Sequence, residues 1–134
     1  MVEPVDDDAP RGSEAILVVE DDELVRDLVV EVIAELGYRV LHALDGREAL
    51  EIIRSDERID LIFSDVALPG RITGIELVRA ARQIRSDIKV LLTSGDRTHA
   101  AEAKEFHLIV KPYRRVELAL RLREALASPV SIDR

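Results

Sequence analysis

LIFSDVALPG, residues 61–70, is a short apolar run that ends in a carboxylate and is then broken by Pro69-Gly70. An apolar run closed by turn residues reads as a buried strand followed by a loop. Asp65 therefore stands where a buried strand leaves the core. In open parallel α/β sheets, ligand chemistry collects at the carboxyl ends of the strands. Asp65 is on that ground a candidate reactive carboxylate.

Working outward, the same rhythm recurs. ILVV at 16–19 is a second buried strand, with acids on both sides. From Asp22 the period lengthens: Val25, Leu28, Val29, Val32, Ile33 and Leu36 recur at helical spacing, and Gly37 stops the helix. Residues 38–42 form a short strand. Asp45 caps a helix to about Ser55, with Ala49, Leu50 and Ile53 inward. Residues 60–64 are the third strand. Thr73 and Glu76 fit a capping box opening a helix to Arg85. KVLLT at 89–93 is the fourth strand, 98–106 a short weak helix, 108–110 the fifth strand and 114–127 a last amphipathic helix. Strand and helix thus alternate five times, which specifies a mainly parallel sheet with helices on both faces. The expected fold is a doubly wound α/β (βα)5 domain of flavodoxin-like strand order 2-1-3-4-5. Its span is 15–127, between an unstructured acidic arm at 1–14 and a frayed tail at 128–134.

The bulk numbers agree with one domain. At 134 residues the chain is too short for two comfortable cores, and its 47% hydrophobic content supports one. Aromatics are only 3%, so Leu, Ile, Val and Ala must fill it. There is no cysteine, which excludes disulfides and thiolate metal sites. No run approaches a membrane span and the acidic N-terminus is unlike a signal peptide, so a cytoplasmic location is expected. Half of the net charge of −8 lies in residues 1–14, where five acids face Arg11 alone. The remainder disfavours direct nucleic-acid binding.

Strand order 2-1-3-4-5 brings the residues after Val19 beside those after Ser64. That gathers Glu20, Asp21 and Asp65, whose mutual repulsion calls for a neutralising cation. Mg²⁺ suits a few carboxylates completed by water and phosphate oxygens. A carboxylate beside Mg²⁺ points to phosphoryl chemistry, with Asp as the nucleophile. Lys111, after the fifth strand and before Pro112, reaches the same sheet end and can pair with a phosphoryl oxygen. Thr93 and Ser94 follow the fourth strand, and either hydroxyl can donate there.

ILVVEDDE, LIFSDVALPG, LLTSG and VKPY, in this order and at roughly these spacings, resemble the receiver domain of bacterial two-component and phosphorelay response regulators. The resemblance covers about residues 15–127. It implies that Asp65 is the phospho-acceptor, and that Glu20, Asp21, Asp65 and the backbone carbonyl of Ala67 hold Mg²⁺. It implies that Lys111 contacts the phosphoryl group and that Ser94, before the small Gly95, is the switch hydroxyl, with Thr93 the second choice. Ala67 and Asp96 would flank the path of the hydrolytic water. The donor would be a sensor histidine kinase or histidine phosphotransfer protein. With no residues left for an output domain, the signal would pass to a further protein. Such a domain is a switch rather than a turnover enzyme. The pattern does not decide between monomer and homodimer.

Two departures concern output. Only sixteen residues separate Ser94 from Lys111, about one helical turn fewer than the family commonly has, so the fourth helix should be shortened. Leu108 stands where the family often has Tyr or Phe. Blander readings exist for each residue: Asp65 as a turn residue, Asp22 as a helix cap, Lys111 as a surface lysine. Arg114, Arg115, Arg121 and Arg123 alternate with Glu117 and Glu124 as a solvated helix face. His42, His99 and His107 lack ligand spacing. Two other functions compete. One is a small Mg²⁺-dependent phosphatase of the haloacid-dehalogenase type, for which Glu20 and Asp22 have the spacing but Glu is the wrong nucleophile. The other is a degenerate receiver that only binds partners.

Overall fold

A strand that is apolar at every position needs cover on both faces, and the first strand, β1 (Ala15–Val19), is buried throughout. The computed structural model describes residues 9–96, 101 and 103–129. After β1 come α1 (Glu23–Glu35), β2 (Arg39–Ala43), α2 (Gly46–Arg54), β3 (Leu61–Asp65), α3 (Gly74–Ile84), β4 (Lys89–Ser94), β5 (His107–Val110) and α4 (Arg115–Ala127). The five strands form one parallel sheet in the order β2-β1-β3-β4-β5. This is the expected doubly wound fold.

The two-residue period of β1 sorts its side chains between two cores. Leu17 and Val19 pack with Ile62, Leu92, Leu50, Ile53, Leu77 and Val78, beneath α2 and α3. Ile16 and Val18 pack with Phe63, Leu91, Ile109, Ile33, Leu118 and Leu122, beneath α1 and α4. Each such side chain taken from water stabilises the fold by roughly 1.5–3 kcal/mol. The sheet is therefore a rigid platform for whatever its strand ends carry.

The helix starts follow the expected chemistry. Asp22 accepts a hydrogen bond from the Val25 N–H, and Asp45 one from the Glu48 N–H. Thr73 and Glu76 form the complete capping box. Gly37, at φ +104°, turns the chain out of α1 in a conformation open to glycine.

Several details differ from the sequence reading. β2 begins at Arg39, because Tyr38 is buried in the core instead of pairing as the strand's first residue. β3 includes Asp65, which stands in register with Thr93, and the Val66 N–H extends the ladder by donating to the Thr93 carbonyl. On α1 the helical stripe is rotated: Leu28 is 62% exposed, while Arg26 lies inside with Ile33. Of the short helix expected over 98–106, residues 98–100 and 102 lie outside the described residues. The described remainder, Ala101 and 103–106, is turn and bend, so the described helices number four. Of the expected arm, residues 1–8 lie outside the described residues. Residues 9–14 run against the domain: Ala9 is buried, the Gly12 N–H donates to the Leu36 carbonyl, and Glu14 pairs with Arg123 at 2.8 Å. No helix among the described residues is long and apolar enough to cross a membrane.

Candidate metal and phosphoryl site

The carboxyl ends of β1 and β3 are neighbours because β1 and β3 pair directly. Glu20, the residue after β1, is held from several sides. Its N–H donates to the Ala43 carbonyl at the end of β2, its carbonyl accepts from Arg26, and its carboxylate accepts from the Asp22 N–H at 3.0 Å. Asp21 follows, exposed. Asp65 ends β3 and is buried. The carboxylates of Glu20, Asp21 and Asp65 offer one oxygen each, all within 4.8 Å of one another.

The positive charge in this group comes from Lys111, just after β5. Its Nζ lies 2.9 Å from Asp65 Oδ1 and 3.8 Å from Glu20 Oε1. Its backbone N–H donates to the Ser94 carbonyl, which continues the β4–β5 ladder and fixes where the side chain starts. Burial by itself lowers the lysine pKa. The hydrogen bond and charge of Asp65, with the fields of Glu20 and Asp21, outweigh that and raise it. Lys111 is therefore held protonated.

One ammonium does not balance three carboxylates. Burial, reinforced by the neighbouring Asp65, pushes Glu20 up to about 6. The strain is that of a hard-oxygen cluster short of positive charge, and a small divalent cation fits it. Tyr113 packs edge-on against Phe63, with centroids 6.2 Å apart. Burial, then the fields of Asp65 and Glu20, push its hydroxyl up to about 12, so it remains neutral.

Thr93 and Ser94 are both buried and differ in hydrogen bonding. Ser94 Oγ accepts the Asp96 N–H at 3.4 Å, a long contact. Thr93 Oγ1 is buried without a partner. Ala67, two residues beyond Asp65, is exposed at the mouth of the same loop. The structure thus brings Glu20, Asp21, Asp65 and Lys111 together and sets Ser94 beside the lysine through its backbone.

Two contributors were not singled out from the sequence. Arg26 is an arginine on the inward stripe of a helix, and its seven-residue spacing from Ile33 is the signal. Gly74 opens α3 against the end of β3: a Cβ there would stand 1.9 Å from the Asp65 carbonyl oxygen. Its N–H donates to the Val66 carbonyl at 2.7 Å. Nothing in local sequence announces that approach, because it depends on α3 crossing β3.

The sequence model of the family described as "Response regulator receiver domain" matches residues 16–123. The chain belongs to that family. A receiver domain is a phospho-acceptor signalling switch rather than a turnover enzyme; it typically binds Mg²⁺ at an acidic site and works with histidine kinases. This receiver is 39% identical over 116 residues to the response regulator MprA of Mycolicibacterium vanbaalenii, covering 83% of the chain and 49% of that protein. It is 36% identical over 122 residues to the sensor kinase CckA of Brucella abortus, covering 86% of the chain and 13% of the kinase. Among solved structures, the response regulator TrrA of Thermotoga maritima in complex with Mg²⁺-BeF superposes with a TM-score of 0.76 at 28% identity, covering 84% of the chain and 98% of TrrA. The chain spans about half the length of the first curated regulators it matches. Family membership leaves the haloacid-dehalogenase alternative without support.

Proposed function

We propose that Asp65 accepts a phosphoryl group from the phosphohistidine of a sensor histidine kinase or phosphotransfer protein. The observation that carries the reading is the convergence of Glu20, Asp21 and Asp65 on one point, with Lys111 2.9 Å from Asp65. A carboxylate oxygen of Asp65 attacks phosphorus in line with the departing imidazole. The P–N bond breaks as the P–O bond forms, and the imidazole leaves with the electron pair. Glu20, Asp21, Asp65 and the Ala67 carbonyl would hold Mg²⁺, which supplies positive charge for the transferring oxygens.

Lys111 supplies the rest. Its ammonium passes from Asp65 Oδ1 to a phosphoryl oxygen, exchanging one anionic partner for another at little cost in reorganisation. Ser94 is the switch hydroxyl: its present contact with the Asp96 N–H is long, so little is lost when it turns to a phosphoryl oxygen. The acyl phosphate then biases the loops after β3 and β4 until water, passing between Ala67 and Asp96, hydrolyses it. The domain works in the cytoplasm, as its phosphodonors do, and hands its signal to a further protein.

The test is exposure to a small-molecule phosphodonor such as phosphoramidate with Mg²⁺, followed by intact-mass measurement. One labile phosphoryl group per chain, absent from Asp65→Asn and absent with EDTA, is the expected result. Sustained turnover of the donor would indicate a phosphatase. No label on the wild type would indicate a binding module.

A further inference from the structure

We infer that Arg26 is a positioning residue for the acidic turn: it fixes the direction of the Glu20–Asp21 peptide and so aims the Asp21 carboxylate at the metal position. The inference rests on the metal reading given above and goes beyond it, to a residue on a helix that lies outside the acid–lysine group.

Arg26 is only 8% exposed, although it sits on the first turns of α1 between exposed Leu24 and Asp27. A guanidinium keeps its charge at all working pH values, so its burial is costly without compensation. Among the described residues, its side chain has one hydrogen-bond partner, the Glu20 carbonyl, to which NH1 donates at 3.2 Å. Nε is buried with none. A residue kept only for stability could be a Leu or Met here, continuing the apolar stripe to Ile33. The arginine instead spends its buried position on one backbone oxygen.

That oxygen belongs to the peptide joining the two acids. The Glu20 N–H is already committed to Ala43 and the Glu20 carboxylate to the Asp22 N–H. With Arg26 on the carbonyl, every polar group of Glu20 is tethered. The peptide plane cannot rotate, and Asp21, which is exposed, inherits its direction from that plane. Without the guanidinium the carbonyl loses its donor and is free to turn, and the Asp21 carboxylate leaves the cluster of 4.8 Å.

Charge and geometry predict opposite outcomes, which makes the inference testable. A cation close to the cluster repels a divalent ion, so removing charge alone tightens Mg²⁺ binding. Removing a support of the ligand set weakens it, by roughly 10–100-fold where such supports have been removed in other metal sites. Mg²⁺ binding to wild type and Arg26→Met is measured by titration calorimetry on the metal-free chain, alongside thermal unfolding. The expected result is a Kd raised at least tenfold in the folded variant. An unchanged Kd with a lowered melting temperature, or a tightened Kd, overturns the inference. Should Arg26→Met fail to fold, Arg26→Leu, which likewise offers no donor, carries the same criterion. Wild type that takes up no Mg²⁺ overturns the metal reading itself, an outcome distinct from wild type and variant binding alike.

Discussion

Glu20→Gln should make the metal-free protein more stable. The carboxylate of Glu20 is buried against Asp65, and its pKa stands at about 6 against an ordinary 4.5. A raised carboxylate pKa means that the charged form is disfavoured in the folded state. As pH rises from 4.5 through about 6, the unfolded chain releases this proton first, and wild type loses stability across that window. Above it the full penalty is present, at most about 2 kcal/mol for a shift of this size. Glutamine removes the charge and keeps an oxygen for the Asp22 N–H, while Lys111 keeps its nearer partner Asp65. The variant should melt up to about 7 °C higher than wild type in EDTA at neutral pH. The two curves should converge as pH falls below the window. Millimolar Mg²⁺ should reverse the order, because the ion binds the intact acid set more tightly and stabilises it in proportion to that affinity. Circular-dichroism melts across pH, with and without Mg²⁺, make the comparison. A Gln variant that melts at or below wild type in EDTA at neutral pH refutes the reasoning.

Gly74→Ala should destabilise the domain by about 1–3 kcal/mol, since its Cβ would meet the Asp65 carbonyl at 1.9 Å and push α3 off the strand end. Denaturant unfolding measures the loss, and Mg²⁺ affinity should fall with it. Thr93→Val should gain about 1 kcal/mol, because it removes a buried hydroxyl that has no partner. The same unfolding assay decides it, and a loss would reveal a partner for that hydroxyl. Ser94→Ala should still accept phosphoryl but show a smaller change in hydrogen exchange on phosphorylation. If Thr93→Val shows that blunting instead, the switch hydroxyl is Thr93.

What the sequence disclosed was set by how local each signal is. ILVV and LIFS carry their burial in their own composition, so strand identity and a parallel sheet follow directly. Asp22, Asp45 and Thr73 announce helix starts, because a cap acts within three residues of itself. Glu20, Asp21, Asp65 and Lys111 were legible once the strand order was, since each ends a strand or lies within two residues of its end. Arg26 was not, because the stripe of α1 contains apolar residues nearly all round and its true inward edge is chosen by packing on the sheet. Leu28 counted as inward by spacing and is outward for the same reason. Gly74 was invisible because its reason is a contact across the loop from Asp65. Tyr38 read as strand and is instead a buried plate, because the chain ahead of β1 comes back to cover it.

That covering chain has a consequence for anyone who moves this module. The family match starts at residue 16, yet Ala9, Gly12 and Glu14 lie against the far end of the sheet from the acids. Gly12 lies so close to the Tyr38 ring that even a methyl there would collide with it. Arg123 grips both Glu14 and the Tyr38 hydroxyl. A graft that begins at the first strand would uncover an aromatic ring and leave a guanidinium without its carboxylate. The seam for splicing this receiver into another protein belongs no later than Ala9, so that the segment covering the foot of the sheet travels with it.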